Sequence, residues 1–238
     1  MFKIKYSYDL HIHSVLSPCA DELMTPNNIL NMSMLQKLDF ISITDHNSTK
    51  QLKVIRELEE SYDFVIIPGV EVSVLEKFDV LCYFRTFEDA YKIDSFLEAN
   101  LGTNWNNFEE SDQVITDIYD TQLETFSKPL TSTTISYHDL VKEVRKYNGA
   151  IVLAHIDRGS VSALNSFDLK EIEFDAIEVQ PYRREEYLSK HPELSKYHVF
   201  HNSDSHSLLS IAEPEFFMDL EEKTIDSFFK FVMGEKNE

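Results

Sequence analysis

Five of the nine histidines in this chain stand with carboxylates just past short apolar runs. His11 and His13 form a His-x-His pair. Asp45 and His46, Glu71, His155, and Asp204 with His206 follow later runs, and Asp79 stands at the start of another. In an extended segment residues i and i+2 point the same way, so two imidazoles separated by one residue can grip a single ion. One histidine after a strand is ordinarily just hydrogen-bonded, and one aspartate there is ordinarily a helix cap. Eight or nine such side chains at successive strand ends exceed what caps require. Their common chemistry is the binding of divalent metal. Zinc or iron takes three or four protein ligands, so the set is large enough for two or three ions. Ions about 3.5–4 Å apart serve phosphoryl chemistry, acidifying bound water and neutralising phosphate oxygens. No P-loop, Gly-rich dinucleotide turn or Gly-x-Ser-x-Gly elbow competes with this reading.

Side chains more than 190 positions apart converge only if the fold brings strand ends to one face. Residues 6–10 read as a strand running into His11, and Thr25-Pro26 as a helix start with Thr as N-cap and Pro at the first helical position. Residues 39–44 read as a strand, 48–60 as a helix, and 64–67 as a strand that runs on through Pro68-Gly69 to Glu71. A strand at 79–84 precedes a helix at 88–97. In the second half, Ser136 to Asp139 is a capping box with Asp in place of Glu. Strands at 150–154, 174–179 and 197–200, a helix near 185–194, a strand at 216–220 and a helix at 224–232 complete the order. Strands alternating with helices imply a parallel sheet with helices outside it. About seven such units fit a small, irregular (β/α) barrel, whose C-terminal strand ends share one face.

The 22 Lys and Arg against 42 Asp and Glu leave a formal charge of −20, which disfavours long nucleic acid and anionic membrane as partners. A hydrophobic content of 42% with 12% aromatic residues places that charge on a folded body, and 238 residues suit one domain. Two cysteines, Cys19 and Cys82, make no disulfide framework, and no apolar run suits a signal peptide or spanning helix, so a cytoplasmic location is expected. Residues 101–134 interrupt the rhythm with six acids (Glu109, Glu110, Asp112, Asp117, Asp120 and Glu124) against Lys128. They read as an insertion, part loop and part short hairpin, in the role of a lid or a surface excursion.

The stretches Asp-Leu-His11-Ile-His13-Ser, Ile-Thr-Asp45-His46-Asn, Pro-Gly-Val-Glu71-Val-Ser, Ala-His155 and Asn-Ser-Asp204-Ser-His206 together resemble the PHP (polymerase and histidinol phosphatase) family. The resemblance runs from about residue 7 to 207 apart from the insertion. It implies a distorted (β/α)7, TIM-like barrel with a trinuclear centre of zinc, manganese or iron that hydrolyses phosphoesters. Carried over, His11, His13, Glu71 and Asp204 would hold one ion. Glu71 would bridge to a second held by His155, and His46 with His206 would take a third. The chain departs from the family's usual histidines at Cys19 and at Asp79; thiolate and carboxylate can both still bind metal. Asp45 is expected to orient a neighbouring imidazole, and Cys82 to be core. Arg158 and Arg183, near strand ends, are candidates for phosphate contact. The expected substrate is a small phosphorylated metabolite or short nucleotide. The competing readings are an amidohydrolase-type C–N hydrolase and a metal-binding regulatory module without turnover.

Overall fold

In the computed structural model, residues 2–103 and 112–234 are described, so Glu109 and Glu110 of the acidic stretch lie outside the described residues. The chain runs β1 (Ile4–Ile12), α1 (Pro26–Leu35), β2 (Phe40–Ile43), α2 (Leu52–Leu58), β3 (Val65–Ile66), β4 (Gly69–Ser73), β5 (Asp79–Tyr83) and α3 (Phe87–Ala99). It continues with β6 (Val114–Thr116), β7 (Gln122–Thr125), α4 (Tyr137–Arg145), β8 (Ala150–Leu153), β9 (Ala176–Glu178), α5 (Arg184–Lys190), β10 (His198–Phe200), β11 (Phe217–Leu220) and α6 (Ile225–Met233). Pro26 sits in the first turn of α1 as expected, but Thr25 makes no side-chain cap; its hydroxyl donates to Asp120 instead, at 2.7 Å. Ser136 does cap α4, accepting from the Asp139 N–H.

The strands form a mixed α/β architecture of two main sheets, ordered β11-β1-β2-β3 and β10-β9-β8-β5-β4, with β6-β7 as a separate hairpin. This corrects the expected parallel barrel in two respects. First, β5 runs antiparallel to both β4 and β8, and β11 antiparallel to β1. The link from Ser73 to Asp79 is too short for a crossover helix, so it can only be a hairpin, which pairs antiparallel. That reversal puts Asp79 opposite Ser73, so the start of β5 lies at the same end as the finish of β4. Second, the hydrogen-bonded ladder does not close. The two sheets are joined by single bridges, Ile12 to Ser205 and His46 to Glu71. Residues 64–71 are accordingly two strands in different sheets, parted at Pro68, which has no N–H to continue a ladder.

Alternation along the strands buries both faces. Leu81 and Tyr83 of β5, with Ala150 and Val152 of β8, join Tyr8, Leu10 and Phe40 in the space between the sheets. Val80, Cys82, Ile151 and Leu153 point the other way, into the layer under α1 to α4. Cys82 is therefore core, as expected. Phe228 and Phe229 of α6 seal the inner layer beside Tyr83, at the end away from Asp79. Each such side chain stabilises the fold by about 1.5–3 kcal/mol relative to exposure. Among the described residues no helix is long and apolar enough to cross a membrane.

Candidate metal centre

The first ligand pair is fixed by the end of β1. His11 is its penultimate residue, and His13 follows, its N–H bonded to the Ser205 carbonyl at 2.9 Å. The Ser205 N–H returns a bond to the His11 carbonyl, so the segment carrying Asp204 and His206 is stitched to the segment carrying His11 and His13. Asp9, two residues before His11, accepts from Ser203 N, Ser203 Oγ and Ala212 N, anchoring both sides of the same loop. The bridge between His46 and Glu71 does the same for the second sheet. The two joints between sheets thus carry six of the candidate ligands: His11, His13, Asp204 and His206 at one, His46 and Glu71 at the other.

Glu71 is the centre. It is 1% exposed, and its carboxylate oxygens lie 3.3 Å from His11 Nε2, 3.3 Å from His13 Nε2, 3.0 Å from His46 Nδ1 and 3.2 Å from His155 Nε2. Asp204 Oδ1 lies 3.4 Å from His11 Nε2 and 3.3 Å from His13 Nε2. Three sets of ligand atoms converge within 4.8 Å: His13, His46 and His206; His11, His13 and Asp204; Glu71, Asp79 and His155. Asp79 belongs to this convergence, while Cys19 joins none of the three sets. Burial and the charges of Glu71 and Asp204 push the Cys19 thiol up, keeping it protonated.

Electrostatics of the bare cluster follow from burial against neighbouring charge. Burial first, and then the charge of neighbouring imidazoles, His13 above all, bring His46 down to about 3 and His206 down to about 4, so both imidazoles are neutral at pH 7. Burial also opposes protonation of His13, but contacts with Asp204 and Glu71 outweigh it and raise the group to about 9. Asp79 is pushed up to about 6, first by burial and then by Glu71. Glu71 is held well below the usual carboxylate range because the surrounding imidazoles outweigh its burial.

Residues of this kind fit divalent cations. His11 Nε2, His13 Nε2 and Glu71 Oε2 are buried atoms with no hydrogen-bond partner among the described residues, and they face one another. Buried polar atoms left in that state cost about 1–3 kcal/mol each, which coordination removes. Backbone strain marks the same spot: His155 and Asp204 both have positive φ, 26° and 52°. Such conformations persist only where the surroundings over-determine them.

The neighbouring groups divide into those sequence reasoning named and those it missed. Asp45 connects to the His13 imidazole through an intermediary. Ser17 Oγ donates to Asp45 Oδ1 at 2.7 Å and meets His13 Nδ1 at 3.0 Å. Arg158 donates to Asp204 Oδ2 at 2.6 Å, with its side chain still 40% exposed. Arg183 turns aside, donating to the Asp157 carbonyl at 2.6 Å. Glu178, unnoticed in the sequence, lies with both oxygens at 3.1 and 3.2 Å from His11 Nδ1. Its signal was a charged residue inside an otherwise apolar strand. The 101–134 segment contributes the expected hairpin, held to the loop after His13 by the Val114 N–H on the Val15 carbonyl at 2.9 Å.

Solved structures share this arrangement of strands. Endonuclease Q from Pyrococcus furiosus superposes with a TM-score of 0.70 at 17% identity, over 98% of this chain and 57% of that one. A two-domain Bacteroides vulgatus protein containing a predicted PHP-like metal-dependent phosphoesterase superposes at 0.57 and 16%, over 98% and 63%. The likeness is one of fold, shared with endonuclease Q and with a protein that contains a predicted PHP-like phosphoesterase. An amidohydrolase from Chromobacterium violaceum also matches, at 0.57 and 18%, over 92% of this chain and 93% of that one. In sequence, 70 residues are 33% identical to the 5'-3' exoribonuclease Rnm of Salmonella typhimurium, 29% of this chain and 23% of that protein. The chain thus spans little more than half of the endonuclease Q chain, and its match to Rnm covers under a quarter of that protein. No family model matches the chain.

Proposed function

We propose that the chain is a PHP-type metal-dependent phosphoesterase, one domain over residues 1–238, acting in the cytoplasm on a small phosphorylated metabolite or short nucleotide. The observation that carries this reading is the convergence of three sets of ligand atoms around one buried glutamate. Divalent ions held there would supply water acidic enough to yield hydroxide near neutral pH, and positive charge to meet phosphate oxygens. His11, His13, Glu71 and Asp204 would hold one ion, Glu71, Asp79 and His155 a second, and His46 and His206 a third. His13 Nε2 lies between the first and third sets and serves one of them. His46 and His206 are the more open ligands, 20% and 30% exposed, and their neutrality at pH 7 leaves a lone pair free. Arg158 has one amino group on Asp204 and the rest of its guanidinium open to a phosphate oxygen. Arg183, committed to Asp157, buttresses the loop instead of contacting substrate.

Endonuclease Q and Rnm are enzymes of nucleic acid by name, which weighs against the expectation drawn from charge. A body of net charge −20 still repels a long duplex unless a basic surface offsets it. The reading reconciles the two by placing a nucleotide or a short strand end at the metals. The amidohydrolase neighbour keeps C–N hydrolysis as the second reading, although the residue on which four imidazoles converge is a glutamate, Glu71. The test is hydrolysis by zinc- or manganese-reconstituted protein of four substrate classes: phosphomonoesters and mononucleotides, short single strands, duplex DNA, and cyclic amides. Phosphate release from the small esters is expected. Turnover of the amides alone overturns the reading, and cleavage of duplex alone overturns its substrate class.

A further inference from the structure

Glu178 ends β9 at 1% exposure, and each polar contact of its side chain is with a group able to donate. Oε1 accepts from Asn202 Nδ2 at 2.8 Å, Oε2 accepts from the His155 N–H at 3.0 Å, and both meet His11 Nδ1. We propose that Glu178 is a positioning residue that sets two of the three ligand groups together, fixing the ring of His11 and the backbone of His155, while leaving the third group to Ser17 and Asp45. This rests on the metal reading above.

The ring comes first. A carboxylate on both sides of Nδ1 leaves that nitrogen only the role of donor, so the His11 lone pair lies on Nε2, toward Glu71 and Asp204. Such outer partners commonly govern the orientation and basicity of a ligating imidazole. The backbone comes second. His155 has φ of 26°, in the left-handed region, and needs support from its surroundings to stay there. Glu178 gives that support twice: its side chain accepts the His155 N–H, and its own carbonyl accepts the Ile156 N–H at 2.9 Å. Asn202 locks the arrangement. Its Oδ1 accepts the Leu10 N–H at 3.0 Å, so its amide cannot turn over to present an oxygen to Glu178. Three donors therefore surround one carboxylate. A glutamine of the same shape presents an NH2 group to one of them, and no rotation removes the clash.

The His13, His46 and His206 set is supported separately. The Ser17 hydroxyl meets His13 Nδ1 and the His46 N–H, both at 3.0 Å, and no hydrogen bond joins Glu178 to any of the three. A selective effect follows. The experiment titrates metal-free wild type, Glu178→Gln, Glu178→Ala and Glu178→Asp with zinc against a chromophoric chelator, with circular dichroism of each metal-free form as the check on folding. Wild type is expected to take three equivalents. In the Gln and Ala variants two of them weaken by about 10–100-fold and the third keeps its affinity. Aspartate, which keeps an acceptor on every side, recovers part of the loss. Histidine 1H–15N spectra of the zinc-loaded proteins supply the second readout: a slowly exchanging proton on His11 Nδ1 in wild type, lost in the Gln variant even where affinity is hard to measure. Equal weakening of all equivalents, weakening of one alone, or no change in either readout overturns the inference while the metal reading stands. A wild-type protein that takes up no zinc overturns both.

Discussion

Replacing Ser17 by alanine removes one oxygen that joins three groups. The hydroxyl is buried, donates to Asp45 Oδ1 at 2.7 Å, and meets both His13 Nδ1 and the His46 N–H at 3.0 Å. Asp45 itself is little harmed, because Ser14 N and Ser14 Oγ still donate to it at 2.7 and 2.6 Å. The loss falls on two buried N–H groups, at about 1–3 kcal/mol each if left unpaired. A total of about 2–4 kcal/mol is expected once partial relaxation is allowed. In a chain of this size each kcal/mol lowers Tm by roughly 2–4 °C, so metal-free Ser17→Ala should melt roughly 5–15 °C below wild type. Zinc affinity should fall by about 10–100-fold, because the His13 ring loses the partner that fixes its tautomer. Calorimetry of the metal-free protein and chelator competition with zinc measure the two effects. Asp45→Asn supplies the coupling test. If Asp45 acts on His13 through Ser17, the double variant binds zinc no more weakly than the worse single one. Wild-type zinc affinity in Ser17→Ala, or fully additive losses in the double variant, would refute the relay.

Gly69→Ala places a Cβ 2.5 Å from Ser42 Oγ, 2.8 Å from Thr44 Cγ2 and 3.1 Å from Tyr83 Cδ1, just before Glu71. Overpacking of this kind costs about 1–3 kcal/mol, so a Tm lower by roughly 2–12 °C is expected in a thermal melt; an unchanged Tm contradicts the packing described. Arg158→Gln should reduce kcat/KM for a phosphomonoester by about 10–100-fold, the worth of one charged hydrogen bond, with zinc stoichiometry intact; loss of zinc instead makes Arg158 a support for Asp204 only. The metal-free protein should lose stability as pH rises from 6.5 to 9. His13, carried up to about 9 against its burial by Asp204 and Glu71, contributes fully below 6.5, and that contribution disappears as pH passes 9. Asp79, raised to about 6 by burial and Glu71, acts in the same direction at lower pH. Protonation of His13 contributes about 3 kcal/mol, or roughly 6–12 °C in Tm, and melts across that range check it.

Much of the candidate site was legible because its chemistry is concentrated in residue types. His, Asp and Glu at the ends of apolar runs stand out against their neighbours, and a fold that gathers strand ends brings them together whatever the details of the sheet. What escaped was set by geometry instead of type. Ser17 is one of many serines, and only the approach of the loop after His13 to the loop carrying Asp45 gives it three partners. Glu178 looked like part of a strand, and its meaning depends on β1 and β9 facing each other from separate sheets. The antiparallel β5 is masked by its place in an alternating strand–helix order, although the short link from Ser73 to Asp79 forbids a crossover. Pro68 likewise announced a break that an uninterrupted apolar run concealed. Cys19 is a suitable ligand type near the site that joins none of the three ligand sets among the described residues.

The central claim is that the ligand sets around Glu71 hold metal and that this metal cleaves phosphate esters. One measurement addresses it directly: phosphate release from mononucleotides by a single protein sample, assayed as purified with its metal content determined, after chelation, and after readdition of zinc or manganese. The account predicts three bound ions, turnover that disappears with chelation and returns with metal, and both lost together in His13→Ala. Metal-loaded protein that releases no phosphate from any ester, or turnover indifferent to chelation, would contradict it.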